Sequence, residues 1–89
     1  MNIFVGNLDP YTHREDLEEV FQAFGEVKSA NIVFDKNSGR SKGFGFVKMV
    51  NYQEALEAIH QLDQTELNGK DIDVYRADSS RNSWYWQNT

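Results

Sequence analysis

Two stretches of the sequence repeat apolar residues at helical spacing on one side only, and they restrict the fold more than any other feature. A helix with one apolar stripe has to bury that stripe against another layer of structure. Because the segments between these stretches alternate apolar and polar residues, that layer is predicted to be a sheet. The apolar positions are Leu17, Val20, Phe21 and Phe24 in the first stretch and Ala55, Ala58, Ile59 and Leu62 in the second.

The ends of both helices carry sequence signals. Thr12 followed by Glu15 is typical of a capping box, and Gly25 is a natural stop, so the first helix is predicted over about residues 13–24. Asn51 begins the same capping pattern before the second stretch. Both helices are therefore predicted to be short and bounded by turns.

The remaining segments are predicted to form strands. They alternate β-branched or aromatic residues with polar ones and are bounded by turn residues, among them Asn68-Gly69. The order of elements predicts an α+β fold, a ferredoxin-like βαββαβ two-layer sandwich. Its four-stranded antiparallel sheet carries both helices on one face and leaves the other face open to water. The predicted strands lie around residues 2–6, 27–34, 43–50 and 72–77.

The third strand indicates which residues face the water. Successive side chains of a strand point to opposite faces. One set is Lys42, Phe44, Phe46 and Lys48, and the other is Gly43, Gly45, Val47 and Met49. Two lysines are not expected to be buried unpaired, so Phe44 and Phe46 are predicted to lie on the open face. The alternation of the first strand places Phe4 there too, with Ile3 and Val5 in the core.

Exposed aromatic rings beside lysines suit one kind of ligand. Rings on an open face cost solubility and add nothing to the core. A nucleobase stacks on such a ring for about 1–3 kcal/mol, and an ammonium group contacts phosphate. The face therefore predicts a ligand that stacks bases on the rings and brings phosphates to the lysines.

Two segments resemble the motifs of the RNA recognition motif family. Ile3-Phe4-Val5-Gly6-Asn7-Leu8 resembles the family's hexapeptide, and Lys42-Gly43-Phe44-Gly45-Phe46-Val47-Lys48-Met49 resembles its octapeptide. The resemblance covers about residues 2–78, so residues 1–78 are interpreted as the domain. The sequence departs from the family at Met49, where an aromatic residue is usual, and at Asp73, an acidic residue predicted on the open face.

The resemblance implies that the open face binds single-stranded RNA, and it implies roles for individual residues. Phe4 and Phe46 would stack bases, or Phe46 would pack on a sugar pair, and Phe44 would stack the neighbouring base. Arg40 and Lys36 would lie in a loop that curls around RNA, and residues 76–78 would offer main-chain groups to a base edge. Val33 is predicted to share the face. The RNA-binding residues that the resemblance implies are Phe4, Asn7, Asn31, Arg40, Lys42, Phe44, Phe46, Lys48, Tyr75, Arg76 and Ala77.

The charge of the chain argues for two alternatives. A formal net charge of -5 is unusual for a protein that binds phosphates. The acidic residues, however, concentrate at 15–26 and 54–71, around the predicted helices. All the charged residues at 36–48 are basic. This distribution is consistent with a locally positive open face, and equally with an ordinary solvated surface. The alternative function is a protein-interaction module of the same fold, which engages its partner through the acidic helices or the open face.

The sequence offers little for catalysis or metal binding. It contains no cysteine. His13 and His60 lack a third ligand at metal spacing, and neighbouring carboxylates on a helix diverge in direction. The prediction is a binding protein without enzymatic activity, cofactor or metal.

The C-terminal segment differs from the rest. Residues 79–89 contain Trp84-Tyr85-Trp86 but no aliphatic residue, and they are interpreted as an aromatic tail that folds onto the open face or mediates weak self-association. No stretch is apolar enough to span a membrane, which predicts a soluble, cytoplasmic protein. The short chain resembles the stand-alone bacterial members of the family.

Overall fold

The structure is a computed structural model, and it describes residues 1–77. Along this part of the chain, strands and helices follow the predicted order, with a small hairpin added before the last strand. The elements are β1 (Asn2–Gly6), α1 (Arg14–Gln22), β2 (Val27–Phe34), β3 (Ser41–Met49), α2 (Tyr52–Leu62), β4 (Glu66–Leu67), β5 (Lys70–Asp71) and β6 (Asp73–Arg76). The predicted α+β sandwich is confirmed.

The main sheet has the strand order β2-β3-β1-β6, and all its pairs are antiparallel. Both helices lie against one face. Leu17 and Phe21 of α1, with Ala55 and Ala58 of α2, are buried there. The strands contribute Ile3, Val5, Ala30, Val47, Met49 and Val74 to the same core. Met49, the departure from the family motif, therefore lies in the core, as its position predicts.

The first helix begins one residue later than predicted. His13, not Thr12, is the N-cap, because the carboxylate of Asp16 accepts a hydrogen bond from the His13 backbone N–H at 2.9 Å. The Thr12 hydroxyl instead accepts a hydrogen bond from the side-chain amide of Asn68 at 3.0 Å. The helix thus begins with a capping box, but the box joins His13 and Asp16 instead of Thr12 and Glu15. The second helix begins as predicted, since Asn51 Oδ1 accepts from the Glu54 N–H at 2.9 Å.

The hairpin of β4 and β5 was not predicted as a separate sheet. The predicted turn at Asn68-Gly69 closes it, and both residues have positive φ, 54° and 90°, as a tight hairpin turn requires. Ile72 was predicted to begin the last strand. It lies instead between β5 and β6, where its backbone bonds to Gln64 and Thr65.

Candidate nucleic-acid interface

Four aromatic rings cluster on the sheet face opposite the helices. We call these residues, Phe4, Phe44, Phe46 and Tyr75, the aromatic face. Phe4 on β1 stacks against Phe44 on β3, with ring centroids 5.6 Å apart, and against Tyr75 on β6, at 4.6 Å. Phe46 meets both Phe4 and Phe44 edge-on, at 5.8 Å and 6.1 Å. The predicted side of the sheet is therefore correct for all four residues.

Phe4 is more buried than predicted. Only 8% of its surface is exposed, whereas Phe44, Phe46 and Tyr75 are half-buried. The prediction that Phe4 faces water is wrong because β1 is a central strand, and rings from both neighbouring strands are wide enough to cover the gap of about 4.8 Å between strands. The Phe4 ring also lies along its own strand: a methyl group at Gly6 would come within 2.6 Å of it.

Two glycines of β3 shape the strand that carries Phe44 and Phe46. A side chain at Gly45 would overlap the backbone carbonyl oxygen of Asn31, so the close approach of β2 requires a glycine there. Gly43 has a φ of 83°, and the pairing of β2 with β3 is irregular around it.

A groove of about 330 Å³ lies beside Phe46, on the β2 side of the aromatic face. Polar side chains from three strands line it, so it offers amide, hydroxyl and ammonium groups next to an aromatic ring. Asn31, Val33 and Lys48 were predicted on this face, and the structure places them in the groove. Sequence reasoning missed Asn2 and Ser29, although the alternation that placed Phe4 and Asn31 would have found both. The lining residues are Asn2, Ser29, Asn31, Val33, Phe46, Val47 and Lys48.

The basic residues do not all gather at the rings. Lys48 lines the groove beside Phe46. Lys42 is exposed, next to the irregularity at Gly43. Arg40 lines a different cleft, together with Tyr11 and Phe34, between the β1–α1 loop and the β2–β3 loop.

The β2–β3 loop that carries Lys36 and Arg40 is closed by its own hydrogen bonds. Asp35 Oδ1 accepts from the backbone N–H groups of Asn37 and Ser38, at 2.8 Å and 2.9 Å. The Asp35 N–H in turn donates to the Arg40 carbonyl at 2.7 Å. The N–H groups of Ser38 and Asn37 lower the pKa of the Asp35 carboxyl below its usual 3.8. The loop thus holds Arg40 in a defined position.

Asn7 and Asp73 lie where β1 ends and β6 begins. Asn7 has a φ of 57°, and its side-chain amide donates to the Asp71 carbonyl at 2.7 Å, so it ties β1 to the small hairpin. Asp73 on β6 pairs with Gly6 on β1, and two residues before Tyr75 it lies on the same face of the strand. Its carboxylate accepts a hydrogen bond from the Gln64 amide at 2.6 Å. That neutral partner leaves the negative charge of Asp73 in place.

Arg76 and Ala77 differ from the other predicted site residues. The Arg76 guanidinium donates to the Tyr52 hydroxyl at 3.1 Å and lies 5.4 Å from the centre of that ring, so it points towards α2. The Ala77 N–H donates to the Asn2 carbonyl at 2.9 Å and extends the pairing of β1 with the last strand. The structure does not bring the Arg76 side chain to the aromatic face.

Within residues 1–77, no group of three or more His, Cys, Asp or Glu side chains is placed to hold a metal ion. The same residues include no helix that is long and apolar enough to cross a membrane. What the arrangement offers chemically is a set of ring planes, a polar groove and ammonium groups. Asp78 and the tail, residues 79–89, lie outside the described residues, so the predictions for them stay predictions.

Comparison with known proteins identifies relatives over most of the chain. A model of the RNA recognition motif matches residues 3–73. Glycine-rich RNA-binding protein 2 of Sorghum bicolor is 42% identical over 76 residues, which are 85% of this chain and 45% of that protein. The chloroplastic 28 kDa ribonucleoprotein of Nicotiana sylvestris is 47% identical over 76 residues, which are 85% of this chain and 28% of that protein.

A solved structure is similar over nearly its whole length. The crystal structure of RNA binding protein PG1 superposes with a TM-score of 0.85 at 42% identity, over 89% of this chain and 95% of that chain. The chain spans less than half the length of the two curated relatives. Both relatives are plant proteins, and one is named as chloroplastic, so neither supports the predicted bacterial likeness or the cytoplasmic location.

Proposed function

We propose, because the chain belongs to the RNA recognition motif family, that its aromatic face binds single-stranded RNA without catalysing a reaction on it. The observation that carries the proposal is the cluster of four rings on the sheet face opposite the helices. The names of the sorghum relative and of the similar crystal structure both describe RNA-binding proteins, which supports the same ligand.

Stacking is the first part of the mechanism. Phe44, Phe46 and Tyr75 are half-buried, so each still presents ring surface on which a base stacks. Phe4 packs against all three rings from within the sheet and so holds the stacking planes in place. Stacking accepts any base, so this part of the site gives affinity without sequence preference.

Hydrogen bonding and charge supply the second part. The groove beside Phe46 presents the Asn2 and Asn31 amides and the Ser29 hydroxyl, which have the donors and acceptors that read a base edge or a ribose 2′-hydroxyl. Lys48 lines the same groove, and Lys42 is exposed on the same strand. Their ammonium groups neutralise phosphates of the bound strand.

The direct test compares single-stranded RNA with duplex RNA of the same composition. A randomised single-stranded pool should bind, and the duplex should bind more weakly because its bases are already stacked on each other. Leu56→Ala serves as a control, since Leu56 is an exposed apolar residue on α2, on the opposite side of the sheet. Equal binding of both RNAs, or no retention of either, would contradict the proposal.

The tail is proposed to act on the same face. Residues 79–89 carry Trp84, Tyr85 and Trp86, and in the free protein we expect these rings to lie across or beside the aromatic face, the nearest large apolar surface. Deletion of residues 80–89 tests this role. Tighter RNA binding would indicate a lid, looser binding an added stacking plane, and loss of a concentration-dependent dimer self-association. No change in any of these would leave the tail without a role.

A protein partner is the second candidate function. Val50, Tyr52 and Leu56 are exposed at and near the start of α2, in a region with several acidic residues. This surface suits a partner with apolar and basic residues. If RNA is not retained in the test above, this candidate is favoured. The cytoplasmic location and the likeness to short bacterial members remain proposals, to be tested by locating the tagged protein in its own cells.

A further inference from the structure

A second group of aromatic and basic side chains lies away from the aromatic face, in the cleft between the β1–α1 loop and the β2–β3 loop. We call it the loop cleft, and its volume is about 550 Å³. Tyr11 is 82% exposed and Phe34 is 53% exposed, and neither belongs to the hydrophobic core. The lining residues are Pro10, Tyr11, Phe34, Gly39, Arg40 and Ser41.

Both sides of the cleft are held in place before any ligand arrives. On one side, the Asp9 carboxylate accepts from the Tyr11 N–H at 2.8 Å, and the Asp9 carbonyl accepts from the Thr12 N–H at 3.0 Å. On the other, the bonds of Asp35 close the loop that carries Arg40. A ligand that enters the cleft therefore has little backbone to order, which favours binding.

The size and charge of the cleft indicate what it holds. The volume lies within the range of about 300–1,000 Å³ that small-ligand sites have, so the cleft is large enough for one unit of a polymer. Residues 35–42 contain three basic side chains and one acidic one, so the local charge favours a phosphate. The rings of Tyr11 and Phe34 can stack a base, and the guanidinium of Arg40 can contact its phosphate.

The cleft is also close to the aromatic face along one strand. Ser41 lines the cleft and Phe44 belongs to the aromatic face, and they are three residues apart on β3, which is at most about 10 Å in an extended strand. Lys42 lies between them. An RNA strand that leaves the rings past Lys42 therefore reaches the cleft by passing over the end of the sheet.

We propose that the loop cleft binds one further nucleotide of the RNA strand that the aromatic face holds. Its base stacks on Tyr11 and Phe34, and its phosphate contacts the Arg40 guanidinium. This inference rests on the proposed RNA binding and extends the binding surface beyond the sheet face. It assigns a binding role to two aromatic residues that lie outside both family motifs.

The test uses RNA of two lengths with the full chain. An RNA of about three nucleotides occupies the aromatic face alone, whereas one of about eight nucleotides also reaches the cleft. Tyr11→Ala and Phe34→Ala should each weaken binding of the longer RNA about tenfold and leave the shorter one unchanged. Tyr11→Phe should behave as the unaltered protein because stacking needs the ring and not the hydroxyl. Arg40→Gln should reduce the logarithmic salt dependence for the longer RNA by about 0.7.

Four results separate the inferences. Unchanged affinity at both lengths would overturn the cleft proposal. Equal loss at both lengths would also overturn it, because the variants would then act through the fold or the aromatic face. If the unaltered protein binds neither RNA, the proposed function itself fails, and the cleft proposal fails with it. Loss of both lengths in Phe44→Ala, with loss of only the longer RNA in Tyr11→Ala, would support both.

Discussion

Both faces of the main sheet carry large apolar or aromatic side chains, but these are covered to different extents. Ile3, Val5, Val47 and Met49 on the helical face are at most 1% exposed. Phe44, Phe46 and Tyr75 on the other face are half-buried. The two helices remove nearly all the apolar surface of the first set from water, whereas folding buries only part of the apolar surface of the second set. The difference separates residues that stabilise the fold from residues that remain able to bind.

Charge follows the same division. The helical side carries the acidic stretches of the sequence, including Glu15 and Asp16 in the first turn of α1. The face with the rings has Lys48 in its groove and Lys42 nearby. A chain with a net charge of -5 therefore still offers phosphate a local surface that its acidic helices do not occupy.

The largest expected effect is on the helical face. Phe21 in α1 is fully buried, so Phe21→Ala should lower the free energy of unfolding by about 3–5 kcal/mol. Chemical denaturation measures this loss, and RNA affinity of the fraction that stays folded should be unchanged. A small loss, below about 1 kcal/mol, would break the contrast because the covered face would then contribute little to stability.

Phe4 shares the face of the RNA-binding rings and the burial of the core residues. It lies on the aromatic face yet is only 8% exposed, so Phe4→Ala should lower both stability, by about 2–4 kcal/mol, and RNA affinity, by about 1–3 kcal/mol. Denaturation and RNA titration of the same preparation measure both. Phe4→Tyr keeps a ring there and is the control. Weakened binding with unchanged stability would mean that the ring is not part of the packed cluster.

The contacts between basic side chains and phosphates should make RNA affinity moderately dependent on salt concentration. With two to four phosphate contacts, the logarithm of affinity should fall with the logarithm of salt concentration with a slope of about -1.5 to -3. Asp73→Lys should tighten binding about twofold to threefold, because its carboxylate repels phosphate within a Debye length of about 8–10 Å.

Two controls accompany the Asp73 variant. Asp73→Asn keeps an acceptor for Gln64 and removes only the charge, so it should give part of the gain. Glu19→Lys makes the same charge change on α1, an exposed position on the helical side, and should have a smaller effect. Equal gains from Glu19→Lys and Asp73→Lys would mean that net charge, rather than the position of Asp73, controls the affinity.

The smallest expected effect concerns the loop that carries Arg40. The N–H groups of Ser38 and Asn37 lower the pKa of Asp35 below 3.8 in the folded protein. The stability that these hydrogen bonds give the folded protein is therefore fully present above pH 3.8, the usual pKa of the carboxyl, and is lost as the pH falls through the lower pKa of the folded state. Amide NMR shifts of Asn37 and Ser38 should titrate below pH 3.8. A midpoint at or above that value would contradict the closed loop.

Most of the fold could be predicted from local sequence signals. Stripes such as Leu17 and Phe21, and the cap at Asn51, act within one helix, and the alternation of β3 fixes which residues share a face. The exposure of Phe4 could not be predicted in this way. It depends on the strand order, which brings rings from β3 and β6 to both sides of β1, and alternation along one strand contains no information about neighbouring strands.

The details of the candidate site divide in the same way. Alternation placed Asn31, Lys48 and Tyr75 correctly, since face is a local property. The partners of Asn7 and Arg76 depend on contacts between distant segments, with Asp71 and Tyr52. The loop cleft joins Tyr11 and Phe34, which are distant in sequence, so no local pattern pointed to it.

Phe44→Ala and Phe46→Ala show whether the rings of the open face bind RNA while the helical face stabilises the fold. Each variant is titrated with single-stranded RNA, and its thermal unfolding is recorded on the same sample. Each variant should lose about 1–3 kcal/mol of binding free energy, with a smaller fall of the unfolding midpoint than Phe21→Ala causes. A sharply lowered midpoint with unchanged RNA affinity would contradict this division between the faces, because the rings would then serve the fold alone.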